Sequence, residues 1–194
     1  MTGTQSLLLL LDAFAAKGIP YMVVGSYSSN FYGIPRSTKD ADLVVHLSNQ
    51  DWASLPAILP EGMHLDEQMG FEMVTSSRRE IVRITGSPFH IELFRLTDDD
   101  HDRSRFERRM NLEIFPGRHV QLPTAEDVII QKLRWSAVAK RPKDYADTVS
   151  VMKMQGEAKL DWPYIEKWCT LHSTMEILNQ AKAEAAAAWD DSEE

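Results

Sequence analysis

The pattern of apolar and polar positions changes period partway along the chain. Before position 123, short apolar runs are punctuated by turn residues, as strands are; after it, apolar residues recur at helical spacing. Residues 5–17 predict a helix with apolar residues on more than one face, closed by Gly18 and Pro20. Residues 21–24 predict a short buried strand, Gly25-Ser26 the turn out of it, and residues 27–32 a short helix ended by Gly33 and Pro35. Residues 38–47 predict a second strand whose far end, with Val44, Val45 and Leu47, is wholly apolar. Ser48 with Asp51 caps a helix to about residue 59, which Pro56 makes short or irregular.

Residues 71–74, 80–85 and 89–96 predict three more strands, the last two joined by Gly86-Ser87-Pro88 and therefore antiparallel neighbours. Residues 111–115 and 118–122 flank Pro116-Gly117 as a hairpin. Thr124 with Asp127 opens a helix through about Ala139, and Pro142 opens a second that ends at Gly156. Asp161 with Pro163 opens a third, and Ser173 with Glu176 a fourth that runs into an alanine-rich stretch. The expected class is α+β: a mixed-sheet domain over residues 1–122, then a helical bundle over residues 123–194.

Composition narrows the field. With 194 residues, 43% hydrophobic and 26% charged, the chain is an ordinary globular one with enough length for a sizeable core. The net charge of −8 excludes a surface that is basic throughout, yet the cations are gathered. Residues 132–143 hold five cations and no acid, and residues 103–118 hold five arginines against Glu107 and Glu113. Such runs suit a solvated helix face or a phosphate-binding surface. Cys169 is the only cysteine, which rules out an internal disulfide and fits a reducing, cytoplasmic setting. The leucines at 7–11 are too few for a signal peptide or a membrane span, so no membrane partner is expected.

The chemistry centres on Asp40 and Asp42, two carboxylates at i and i+2 at the start of a strand. Alternation puts both on one face while Ala41 and Leu43 turn to the core. That arrangement suits magnesium, which takes one or two carboxylates together with waters and nucleotide phosphates. Glu92, set between Ile91 and Leu93, would reach the same face from a neighbouring strand, to complete a metal site or take a proton. Gly25 and Ser26 would supply close backbone approach and a hydroxyl donor to phosphates. Lys132, on the polar side of its helix, could reach a triphosphate as a point charge.

In this order the elements resemble the nucleotidyltransferase superfamily: Gly25-Ser26, a short helix, Arg36-x-Thr-x-Asp40-x-Asp42, a later acid between apolar residues, Lys132-Leu-Arg134 and Arg141-x-Lys-Asp144-x-x-Asp147. Within it the chain looks most like the AbiEii-type nucleotidyltransferase-like toxins. The resemblance implies a polymerase-beta-like mixed sheet and magnesium-dependent transfer of a nucleoside monophosphate from an NTP to a hydroxyl. It further implies Gly25, Ser26 and Lys132 on the phosphates, Asp40, Asp42 and Glu92 on metal, and catalytic parts for these acids, Lys132 and Asp147. The basic segments favour an RNA acceptor, such as a tRNA end, and a cognate antitoxin or other partner protein is a further expectation.

Plainer readings stand beside these. Ser26 can cap the following helix, Glu92 can pair with Arg83 or Arg95, and Lys132 and Arg134 can form an exposed face. Asp144 and Asp147 can serve a helix start and a salt bridge. The run Asp98–Asp102 reads as a solvated acidic loop, and Cys169 with His172 as part of an ordinary helical core. Tyr27, Phe31 and Tyr32 can stack on a base or simply pack the short helix. Two other functions remain open: transfer to a small molecule such as an aminoglycoside, and a catalytically silent binding module.

Overall fold

The computed structural model describes residues 1–67, 70–71 and 77–190. The chain divides into two compact units. The first comprises Met1–Tyr27 and Ser37–Leu122; the second comprises Ser28–Arg36 and the chain from Pro123 on.

In the first unit, α1 (Gly3–Ala16) is opened by Thr2 and Gln5, whose side chains and backbone amides bond reciprocally as a capping box. It buries Leu7, Leu10, Leu11 and Phe14. The strands are β1 (Tyr21–Val24), β2 (Asp40–Val45), β3 (Met63–Leu65), β4 (Gly70–Phe71), β5 (Arg78–Ile84) and β6 (His90–Arg95). They form one sheet in the order β1-β2-β6-β5-β3, with β4 also on β5; among the described residues only β2 and β6 run parallel. A parallel pair cannot be joined by a tight turn, and the chain between β2 and β6 supplies β3 to β5 on the way. One face of the sheet, with Val23, Ala41, Leu43, Val45, Val82, Ile91 and Leu93, packs with the buried residues of α1. Val120 and Leu122 join this core from a hairpin of β7 (Met110–Phe115) and β8 (Arg118–Leu122). The opposite face carries a smaller cluster of Met22, Val24, Val44 and Phe106, the last from α4 (Asp100–Glu107).

In the second unit, α5 (Ala125–Ala139) and α6 (Pro142–Gln155) pack together, with α7 (Trp162–Leu171) on α5 and α8 (Met175–Asp190) on α6. Thr124 accepts from the Asp127 amide to cap α5, Pro142 begins α6, and Asp161 caps α7. Residues 28–36 are clipped to this bundle. The Tyr32 hydroxyl donates to the Pro123 carbonyl at 2.9 Å, Gln155 donates to the Tyr32 carbonyl at 2.7 Å, and the Ile34 amide donates to Ser150 Oγ at 2.7 Å.

Several local expectations change. The residues after β1 are not a turn: helix α2 (Gly25–Tyr32) starts at once, its first residues in the first unit and the rest in the second. The helix expected after Ser48 is α3 (Asn49–Ala53), followed by a separate 3-10 turn at Leu55–Ala57 where Pro56 lacks the amide to continue it. Ser173 does not cap the last helix; it takes a left-handed backbone (φ 58°), and the Thr174 carbonyl accepts the first helical bond. Asp98–Asp102 is no solvated loop. Asp99 caps α4 because free amides at a helix start need acceptors, and Asp102 is buried and bonded by Thr97 at 2.7 Å and Arg105 at 2.8 Å. Of the strand expected at 71–74, Phe71 belongs to β4 and the remaining three positions lie outside the described residues.

Candidate functional site

The pairing of β1 with β2 sets Val24 opposite Asp42, so the chain leaves β1 at Gly25 beside that carboxylate. Gly25 has φ +63°, and a Cβ there would lie 1.9 Å from Asp42 Oδ2. No other residue fits this position without displacing the acid. Ser26 follows directly and is buried.

Along β2, Asp40 and Asp42 are half-buried and alternate with buried Ala41 and Leu43. The parallel register pairs Asp40 with His90 and Asp42 with Glu92, so all four side chains belong to one face. Asp40 Oδ1 accepts from Thr38 Oγ1 at 2.7 Å, within the Arg36-x-Thr-x-Asp run. Gly25, Asp40, Asp42 and Glu92 are thus brought together in the first unit from three strand ends that are far apart in sequence.

Glu92 is paired, but with neither expected arginine. Arg79 Nη1 straddles its two oxygens at 3.2 and 3.0 Å, and His90 Nε2 lies 3.5 Å from Oε1. Arg95 follows Phe94 onto the other face, bonds Asn49 and lies over the Trp52 ring at 5.0 Å. Arg83 sits opposite His90 and is engaged by Asp66 at 2.7 Å. No spacing in the sequence marks Arg79, because its approach to Glu92 depends on the register of β5 against β6.

Lys132 and Asp147 lie in the second unit and meet each other there. Lys132 Nζ donates to Asp144 Oδ1 at 2.9 Å and to Asp147 Oδ2 at 2.7 Å. Asp147 also accepts from Arg36 Nε and Nη2, both at 2.8 Å, and from Ser29 Oγ at 3.3 Å. The expected polar-side position of Lys132 is corrected: the residue is 8% exposed, its ammonium held between two carboxylates. Burial pushes the Asp147 carboxyl up, but Arg36 and Lys132 outweigh it and hold the pKa at about 2. Asn30 adds a clip on the Arg36 backbone, donating to its carbonyl at 2.7 Å and accepting from its amide at 3.1 Å. Arg36 is the residue whose part sequence reasoning missed; its place in the Arg-x-Thr-x-Asp run was the available signal.

Of the aromatic rings on α2, Tyr32 is buried and Phe31 is exposed. Tyr27 meets Phe115 edge-on at 6.1 Å and Phe31 meets Tyr32 at 4.9 Å. Burial raises the pKa of the Tyr27 and Tyr32 phenols, and the Tyr32 hydroxyl donates to the Pro123 carbonyl. Cys169 is buried, with its thiol pushed up by the same cause. Among the described residues no helix is long and apolar enough to cross a membrane.

No family model matches the chain, and no curated protein matches it in sequence. Solved structures do match in fold. The solution structure of the antibiotic-resistance factor ANT(2'')-Ia aligns with a TM-score of 0.58 at 14% identity, over 94% of this chain and 99% of that one. An antigenic nucleotidyltransferase-like protein from Paracoccidioides brasiliensis aligns at 0.53 with 16% identity, over 91% and 90%. JHP933 from Helicobacter pylori aligns at 0.51 with 14% identity, over 98% and 94%. At these identities the likeness shows the fold alone: a mixed-sheet, α+β architecture shared with these structures over nearly the whole chain.

Proposed function

We propose that this protein is a magnesium-dependent nucleotidyltransferase that moves a nucleoside monophosphate from an NTP to a hydroxyl acceptor. The observation that carries the reading is the placement of Asp40, Asp42 and Glu92 on one sheet face, with Gly25 kept free of a side chain beside Asp42. Two half-buried carboxylates on one strand end are hard oxygen donors of the kind magnesium takes, and Asp40 and Asp42 would hold it. The metal would offset the negative charge that gathers on the phosphates during transfer. Gly25 and Ser26 would hold the phosphates at the start of α2. Glu92 would take the acceptor's hydroxyl proton as that oxygen bonds to the α-phosphorus; the bond to the bridging oxygen breaks, and pyrophosphate leaves with the electron pair. Lys132 and Asp147 are assigned to holding residues 28–36 on α5 and α6, since both charges of the pair are already engaged there.

The acceptor proposed first is RNA, including tRNA ends. Exposed Lys140, Arg141 and Lys143 at the α5–α6 turn supply the cations, as in a nucleotidyltransferase toxin of the AbiEii type held by an antitoxin. The fold likeness to ANT(2'')-Ia, whose crystal structure holds adenylyl-2''-tobramycin, favours a second reading with an aminoglycoside acceptor. Labelled NTPs, magnesium and either total RNA or tobramycin decide between them: label should enter one acceptor with release of pyrophosphate, and Asp42→Ala should reduce both to background. Labelling that survives in Asp42→Ala would falsify the assignment.

A further inference from the structure

We infer that Arg79 is a positioning residue for Glu92, and that Gly70 is the seat that lets it act. The inference rests on the nucleotidyl-transfer reading and extends it to two residues that no motif marks. Strand pairing alone sets Ile81, not Arg79, directly opposite Glu92; Arg79 faces Phe94 one step along the same face. From there its guanidinium reaches diagonally back, and Nη1 meets both carboxylate oxygens, at 3.2 and 3.0 Å. A diagonal reach of this length is within range of a long side chain on a sheet.

What directs the guanidinium is the strand on its other side. Gly70 pairs with Arg79 across β4 and β5, and a Cβ at Gly70 would stand 2.6 Å from Arg79 Nε and 2.8 Å from Nη2. The guanidinium therefore lies against the bare backbone of Gly70, in space that a side chain of any size would occupy. One nitrogen shared by both oxygens turns the open side of the carboxylate toward Arg79 and limits how far it can swing away. Glu92 keeps acceptor capacity, since a carboxylate has about four lone-pair sites and this contact uses two of them. The side chains of Glu92 and Arg79 are 15% and 34% exposed, so the pair is partly shielded from solvent and is screened by salt less than an exposed pair. Arg79 thus holds the proton acceptor beside Asp42 without adding a negative group to the metal-binding pair.

The test compares wild type with Arg79→Ala, Arg79→Lys, Gly70→Ala and Glu92→Gln, using ATP, magnesium and total RNA or tobramycin as acceptors. Arg79→Ala should lower kcat about 10- to 100-fold while KM for ATP stays within about threefold, as loss of orientation beside the reacting group does. Arg79→Lys should recover part of kcat, since an ammonium can still meet the carboxylate. Gly70→Ala should lower kcat in the same direction, and adding it to Arg79→Ala should cost nothing further. In parallel, urea unfolding of Arg79→Ala, Glu92→Gln and the double variant should show a coupling of about fivefold in the folding equilibrium, abolished in a Gly70→Ala background. Unchanged kcat in Arg79→Ala, a rise in KM alone, or a coupling that survives Gly70→Ala overturns the inference. If wild type transfers nothing to either acceptor, the nucleotidyl-transfer reading fails instead, and the unfolding cycle alone judges whether Gly70 seats Arg79 on Glu92.

Discussion

At the scale of single residues, Gly25 shows how a site can be written into one missing methyl. Its backbone is left-handed, and the space a Cβ would need is filled by Asp42 Oδ2. Gly25→Ala should therefore destabilise the protein by about 1–3 kcal/mol in thermal or urea unfolding, from backbone strain and the displaced acid together. A neutral substitution there would mean that the carboxylate has freedom to move aside. The i, i+2 spacing of Asp40 and Asp42 was legible because strand alternation is a local rule, whereas the place of Glu92 on their face depends on the parallel register of β2 and β6. Arg79 was not legible, since which arginine reaches Glu92 is settled by the register between two strands and by a glycine on a third.

At the scale of elements, the helices were readable from their ends. Thr124 with Asp127, Pro142 and Asp161 mark three starts where the structure has them, because capping is chemistry within one turn. The same rule explains α4, which Asp99 caps by accepting from the Asp102 amide. What capping could not show is how α5 and α6 are tied to residues 28–36. Asp147 is the knot, receiving Arg36, Lys132 and Ser29. Its carboxyl is held at about 2, below the ordinary 3.8, so the ionised form is the one the fold favours. That stabilisation is complete above pH 4 and is lost as pH falls from about 4 to 2; it amounts to about 2 kcal/mol. Acid unfolding should shift accordingly, and Asp147→Ala should flatten stability across that window. At neutral pH the same variant should cost about 2–3 kcal/mol, because Lys132, still bonded to Asp144, and Arg36, only partly buried, would lose their shared partner. A urea midpoint unchanged by Asp147→Ala would refute the network's structural part.

At the scale of the molecule, charge is distributed against the average. The protein carries −8 overall, yet Lys140, Arg141 and Lys143 stand exposed at the α5–α6 turn, Arg141 lying over the Trp135 ring at 4.7 Å. If that surface meets RNA, replacing the three cations by glutamate should weaken RNA binding and make its salt dependence shallower by about 2 in log–log slope. Transfer to tobramycin should be unaffected, and an unchanged RNA slope would count against this surface. The sequence by itself determined the class of the fold, the change from strand to helical period along the chain, and the presentation of Asp40 and Asp42 on one face. These follow from hydrophobic period, turn residues and caps, which act over a few neighbouring positions. Only the tertiary structure decided the order β1-β2-β6-β5-β3, the arginine that holds Glu92, and the capture of Lys132 by Asp144 and Asp147. Each of those joins residues distant along the chain, where register and packing choose among charges that local spacing leaves equivalent.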